Sequence, residues 1–271
     1  AGAGASGAEP VVTAIRTESL KYGVSSAFVA TGSNLDGAVT VETNGVTCLN
    51  PAVGVLSATE LRVVCTPDDT GTLQISLFRQ GLLLKTHTDE VVKPRVQMVI
   101  GTGGTPAQIE IAVDPGQKAS VQRAWAKSFL YYVNQGYYNG TIFHSLYQSA
   151  VVDGGCYSST SLNKKQFLPS FALDAVAFSG PPNPAQNLQY TLSMNPDACT
   201  GSQYSSFALY VVKNNNRDTS KYVVIGNFSD QDAAVVDVLS NLERRGGPWL
   251  SESPSDKDLP KGTIKSLTQI R

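Results

Sequence analysis

The chain has 271 residues, 21 basic and 22 acidic side chains and a formal net charge of −1 at pH 7. No segment concentrates Lys and Arg with interleaved aromatics, so no nucleic-acid footprint is visible, and no apolar run reaches the length needed to span a bilayer. Four cysteines without a C-x-x-C pair, and only two histidines, argue against a Cys/His metal site.

Residues 1–9 read as a flexible small-residue linker. Such a spacer suits an expression scar or the mature start of an exported or lipid-tethered protein. We read it as a mark of export to a periplasmic or extracellular setting, compatible with a lipid anchor ahead of residue 1. The charged fraction of 16% fits that setting.

From 10 to 94 the pattern is all β. Short runs at 11–16, 25–32, 37–43, 60–67 and 71–81 are rich in Val, Thr, Leu and Phe, with Gly, Asn, Asp and Pro between them. Leu73, Ile75 and Leu77 alternate with Thr72, Gln74 and Ser76, the period-2 mark of a half-buried strand. About seven short strands over this stretch predict an immunoglobulin-like sandwich, a binding or spacer domain. The order A-T-G-S-N-L, V-T-V, L-x-V-x-C, G-x-L-x-I-x-L resembles the Ig-like, plexin, transcription-factor type of module. Cys48 and Cys65 sit in two strand-like runs separated by a loop, which suits a cross-strand or inter-sheet disulfide; two buried free thiols are the alternative. His87, beside Asp89 and Glu90, reads as a solvated strand end.

Lys93-Pro94-Arg95 reads as an inter-domain joint, and 95–271 as the second domain. Val96–Ile100 and Gln108–Val113 predict two strands around a Gly-rich hairpin at 101–104; no G-K-[ST] follows, so this is not a phosphate loop. Ser120 is a candidate N-cap for a helix with Val121, Ala124, Trp125, Phe129, Tyr132 and Val133 at helical spacing. A Gly-Tyr-Tyr-Asn-Gly turn, an apolar strand, a loop, a second apolar strand and a Gly-Gly turn follow, through Tyr157. Asp153 beside that Gly-Gly reads as a turn former ahead of a general base. Pro181-Pro182-Asn183-Pro184 marks a loop. Ser229-x-x-Asp232 is placed to cap a helix through Arg244, with Ala233, Val236, Leu239 and Leu242 on one face. Asn139-Gly-Thr141 and Asn227-Phe-Ser229 match the glycosylation sequon but read as turn and cap residues.

The stretch from Phe129 to Tyr157 resembles the cyclophilin family of peptidyl-prolyl isomerases. The family pattern reads approximately F-L-x-Y-V-x-x-G-F-Y-x-G-T-x-F-H-R, then v-I-P-G-F-M-I-Q-G-G. Phe129, Leu130, Tyr132, Val133, Gly136, Tyr138, Gly140, Thr141, Phe143 and His144 match its first half. The runs at 188–194, 207–213 and 222–228 resemble successive family strands, and the order of elements extends the resemblance over about 95–271. It implies an eight-stranded antiparallel β-barrel closed by two helices, so the whole chain is expected to be mainly β.

The resemblance also implies a chemistry that needs no nucleophile, metal or cofactor. An X-Pro amide rotates slowly because resonance opposes it, by about 18–20 kcal/mol. In cyclophilins an arginine is aimed at the proline amide, an apolar pocket holds the ring, and amide side chains grip the flanking backbone. Carried over residue by residue, the arginine position is Ser145, the pocket positions are Ala150, Val151 and Ala208, and the glutamine positions are Asp153 and Ser206. Phe207 and Tyr222 match the family pattern. His144 is expected to pack structurally. Cys156 and Cys199 fall on segments bordering the groove, and paired they would staple its rim. Arg123 and Arg217 are the sequence-distant candidates for a replacement cation.

These residues predict a module that binds proline-containing peptides or unfolded, exported protein segments, with weak or no isomerase activity. An active isomerase with an altered site and a purely structural exported protein are the alternatives. A concave groove around Ser145, Ala150 and Ala208 is what the peptide reading requires there.

Overall fold

A computed structural model of the protein describes residues 8–116, 120–161, 163–166, 168, 189–194, 205–211, 223–242 and 262–271. The predicted loop at 181–184 and the residues Cys199, Arg217 and Tyr222 lie outside them. The chain divides between Val92 and Lys93.

The first unit is built from β1 (Val11–Ser19), β2 (Ser26–Ser33), β3 (Thr40–Gly45), β4 (Cys48–Ser57), β5 (Glu60–Pro67), β6 (Gly71–Arg79) and β7 (Leu82–Val91). They form one sheet ordered β1-β2-β5-β4 and another ordered β3-β6-β7. Alternation along β5 and β6 buries Leu61, Val63, Cys65, Leu73, Ile75 and Leu77, the side chains with the apolar period. Cys48 and Cys65 are disulfide-bonded, with Cα atoms 5.5 Å apart. They lie on β4 and β5, neighbouring strands of one sheet, which resolves the sequence alternatives in favour of the cross-strand pair.

His87 differs from its sequence reading. Its Nε2 lies 3.0 Å from Thr17 Oγ1, and its ring meets Phe28 edge-on at 6.1 Å. Thr17 also donates to Asp89. His87 belongs to β7 and Thr17 to β1, so this half-buried polar cluster ties the edges of the two sheets rather than solvating a strand end. Period-2 reasoning places a residue on a face but says nothing of what faces it from another sheet.

The second unit is a closed barrel with two helices. Its strands are β8 (Arg95–Ile100), β9 (Ala107–Val113), β10 (Thr141–Tyr147), β11 (Val151–Ser158), β12 (Thr191–Met194), β13 (Phe207–Tyr210), β14 (Val223–Phe228) and β15 (Thr263–Gln269). Their order around the barrel is β10-β11-β13-β12-β14-β9-β8-β15, all antiparallel. The fold expected from the sequence is therefore present: mainly β, with an eight-stranded barrel and two helices.

Helix α1 (Ser120–Asn134) buries Trp125, Phe129, Tyr132 and Val133 of the stripe read from its spacing, together with Ala126 and Leu130, while Val121 and Ala124 are half-buried. Ser120 is its first helical residue, one position inside the predicted N-cap. The helix ends on paired backbone bonds, Gly136 N–H to Val133 O and Tyr137 N–H to Tyr132 O, which occupy carbonyls that would otherwise be orphaned. Helix α2 (Asp230–Ser240) starts at its predicted cap: Ser229 Oγ accepts from Asp232 N–H at 3.0 Å. It buries Ala233, Val236 and Leu239 but stops before Leu242, because Asn241 closes it and turns its side-chain amide onto Asp237 O at 2.8 Å.

The Gly-Gly expected as a turn lies within β11. Gly155 has φ +94°, and a Cβ there would sit 2.5 Å from Ser205 O, 2.9 Å from Tyr138 and 3.0 Å from Phe207. The glycine serves close packing against an aromatic core, not a change of direction. Asp153 is likewise a strand residue rather than a turn former.

Candidate functional site

Strand register assembles the site. Ser145 on β10 pairs with Asp153 on β11. Asp153 pairs with Ala208 on β13, Ala208 with Ser193 on β12, and Ser193 with Val224 on β14. One rung across five strands thus joins five residues spread from 145 to 224 in the sequence. Side chains in a pleated sheet alternate faces, so Val151 and Tyr210, two residues along from Asp153 and Ala208, share their face. Val151, Ala208 and Tyr210 pack as one buried cluster, with Ala150 and Val224 against it.

The chemistry of this rung is short and uncharged, apart from Asp153. Ala208 and Ser193 are fully buried and Asp153 is 3% exposed, while Ser145 and Ala150 are half-buried. The Ser193 and Ser206 hydroxyls are buried and make no hydrogen bond among the described residues. Phe207 faces the other way. Its ring lies 5.4 Å from Tyr138, 6.1 Å from Phe129 and 6.3 Å from Phe143, inside the aromatic core. Of the groove candidates, Ser145, Ala150, Val151, Asp153 and Ala208 are brought together, Phe207 belongs to the core, and Ser206 leads into β13. Arg123 is exposed on α1.

The loop between β10 and β11 is held by α2. Ser149 N–H donates to Ser240 Oγ at 2.9 Å, and Asn241 Nδ2 lies 3.4 Å from Ser149 Oγ. Sequence reasoning missed this tie, because it connects polar residues about ninety positions apart. It also missed Tyr210, although an aromatic two places beyond Ala208 on one strand is a legible sign that a ring stands one rung away.

His144 is 2% exposed. Its Nε2 is 3.9 Å from Cys156 Sγ, and its ring centroid is 5.2 Å from that of Tyr157. Burial pushes its pKa down to about 3, against a smaller opposing effect from a hydrogen bond with the Ile142 backbone. A neutral, enclosed imidazole of this kind is a packing residue. Cys156 is disulfide-bonded; Cys199 lies outside the described residues. Nearby, Lys165 Nζ donates to the Tyr137 and Asn139 carbonyls and lies 4.7 Å over the Tyr137 ring. Burial lowers the Lys165 pKa and raises that of Tyr137, the latter eased by its bond to Ser205.

Residues 108–268 match the family model described as cyclophilin type peptidyl-prolyl cis-trans isomerase/CLD. The chain belongs to this family. It is 34% identical over 146 residues to peptidyl-prolyl cis-trans isomerase A of Dickeya dadantii, covering 52% of this chain and 70% of that one. It is 27% identical over 195 residues to a peptidyl-prolyl cis-trans isomerase of Acinetobacter baylyi, covering 72% and 93%. Among solved structures, a Cryptosporidium parvum cyclophilin type peptidyl-prolyl cis-trans isomerase aligns at 18% identity and a TM-score of 0.43, over 66% of this chain and 98% of that one. Among the described residues no helix is long and apolar enough to cross a membrane.

Proposed function

We propose that this protein is a cyclophilin-family module that binds peptide or unfolded protein segments and has weak or no isomerase activity. The observation that carries this is the Ser145 rung. Ser145, Asp153, Ala208 and Ser193 occupy it, and none is a cationic donor. Serine is neutral and short, and it lacks the rigid five-donor fork of a guanidinium. Losing one aimed transition-state donor costs about 2.7–4 kcal/mol, or roughly 10²–10³ in rate. The burial of Ala208 and Asp153 adds to this, since a proline ring needs an open apolar recess to enter.

The test is a peptide isomerisation assay on the wild type and on Ser145→Arg. Wild-type turnover near the uncatalysed rate is expected. Turnover well above it overturns the reading. An active isomerase is the competing reading, favoured by the 34% identity to a protein named as one, and the same assay separates the two. The oxidised Cys48–Cys65 pair and the oxidised Cys156 support an exported, periplasmic or extracellular setting; cell fractionation with thiol labelling checks it, and free Cys48 and Cys65 in a cytosolic fraction would remove it.

A further inference from the structure

Two clefts open on the outward wall of the barrel, away from Ser145. One, of about 420 Å³, is lined by residues that include Thr191, Val224, Gly226 and Asn227. The other, of about 520 Å³, includes Gln97, Gln108, Asn227 and Gln231. Both include Ala112 and Asn227, which pair across β9 and β14, so the clefts adjoin there and form one trough. Its near end is Val224, the last residue of the Ser145 rung. We propose that this trough is a binding site for an extended, uncharged polypeptide segment, which rests on the peptide-binding reading and moves its site from the buried rung to β9 and β14.

Four of the five charges in the walls pair with one another, and the fifth, Asp232, is held by neutral hydrogen-bond donors. Lys93 Nζ is 2.7 Å from Asp114 Oδ2, and Arg95 Nη1 is 3.0 Å from Glu110 Oε2. Asp232 Oδ2 accepts from Ser229 Oγ at 2.9 Å and lies 3.4 Å from Glu110 N. A charged ligand would disturb the two ion pairs, whereas a neutral one leaves them intact and leaves Asp232 on its own donors.

What the trough offers is amide chemistry. Gln97 Nε2 donates to Gln108 Oε1 at 3.3 Å, which leaves the Gln97 carbonyl and the Gln108 amide hydrogens unspent among the described residues. The side-chain amides of Asn227 and Gln231 make no hydrogen bond there either. Each such amide supplies both donors and an acceptor, the complement of a peptide group. The floor between them is low because Ala112 and Gly226 are small. A Cβ on Gly226 would lie 2.5 Å from Ala112 O, so this position accepts no side chain without displacing β9.

Polypeptide is favoured over a glycan by the lining. A sugar ring packs its C–H face on an exposed aromatic, and the trough's aromatic is Phe228, which is only 7% exposed. The span from β12 through β14 and β9 to β8 is three strand spacings, about 14 Å. An extended chain covers that in roughly four to five residues at about 3.3 Å each.

The experiment compares binding of a capped, neutral tripeptide and a capped, neutral octapeptide by isothermal titration. The protein is the full chain, with Asn227→Trp and Gln231→Trp as variants that fill the trough from exposed positions. Folding of each variant is checked by its thermal transition. The expected result is octapeptide affinity about ten-fold above that of the tripeptide, with at least about ten-fold lost in a folded Trp variant, a difference of about 1.4 kcal/mol. Octapeptide binding unaffected by both variants, or no octapeptide binding, overturns the trough. A neutral oligosaccharide that binds and is displaced by Asn227→Trp overturns the polypeptide assignment. High isomerase turnover removes the non-catalytic reading while leaving the trough intact, so the two failures are distinguishable.

Discussion

Lowering the pH from 7 to 5 should weaken the barrel through His144. The imidazole is enclosed and held at about 3, against 6.5 for the unperturbed side chain. The folded-state value is depressed, so the unfolded chain binds a proton that the folded chain refuses. The stability tied to neutral His144 is therefore fully present above about pH 6.5 and is lost as pH falls towards 3. At pH 5 the unfolded state gains about 1.5 pH units of protonation free energy, or about 2 kcal/mol. That is a large share of a typical domain stability of about 5–15 kcal/mol. The assay is urea unfolding at both pH values for the wild type and His144→Phe, followed by tryptophan fluorescence. Trp125 is buried on α1 and neither tryptophan of the sequence lies in the first unit, so the signal carries the second unit's transition. Acid also protonates carboxylates, but equally in both proteins, and the difference between their pH slopes isolates His144. The wild type should lose about 2 kcal/mol more than the variant between pH 7 and 5. Equal losses refute the burial argument.

Three further predictions concern the scaffold. Gly155→Ala should destabilise the barrel by at least about 2 kcal/mol, since it combines a left-handed φ with a clash against a backbone carbonyl; a midpoint shift near zero in urea contradicts this. Ser229→Ala should cost about 1 kcal/mol by removing the α2 cap and the Asp232 contact, and Ser229→Asp should recover most of it in the same titration. Replacing Cys48 and Cys65 together by Ala should lower the stability of the first unit by about 3 kcal/mol, given the 17-residue separation. Tryptophan fluorescence should not register that loss, while far-UV circular dichroism should.

Strand β4 was hard to read from sequence beyond the strand-like run at Cys48, for a physical reason. Along β4 only Cys48 is buried, so no alternation marks it. The charge-poor run of Leu49, Asn50 and Pro51 resembles a loop instead. In contrast, β5, β6, β8 and β9 carry one buried and one exposed face, and alternation marks all four. The Gly-Gly in β11 illustrates a different failure. Turn chemistry and close packing both select glycine, and local sequence does not separate them. At the site, setting Ser145 against the family's arginine is an expectation that rests on local alignment alone. The orientation of Phe207 was not, because a strand's faces become inside and outside only once its neighbours are fixed.

The sequence by itself determined the scaffold: the helix stripe from Trp125 to Val133, the cap at Ser229, the alternating strands and the stretch from Phe129 to His144 that carries the family pattern. These are local signals, set by periods of two and 3.6 residues and by backbone geometry within a few positions. Tertiary structure alone decided which residues meet. The register that places Ser145, Asp153, Ala208 and Ser193 on one rung depends on pairings between strands far apart in the chain. So does the joining of Ala112 to Asn227 that makes two clefts into one trough. A slip of one residue in any of these strands would turn its side chains to the opposite face, and no local pattern encodes that choice.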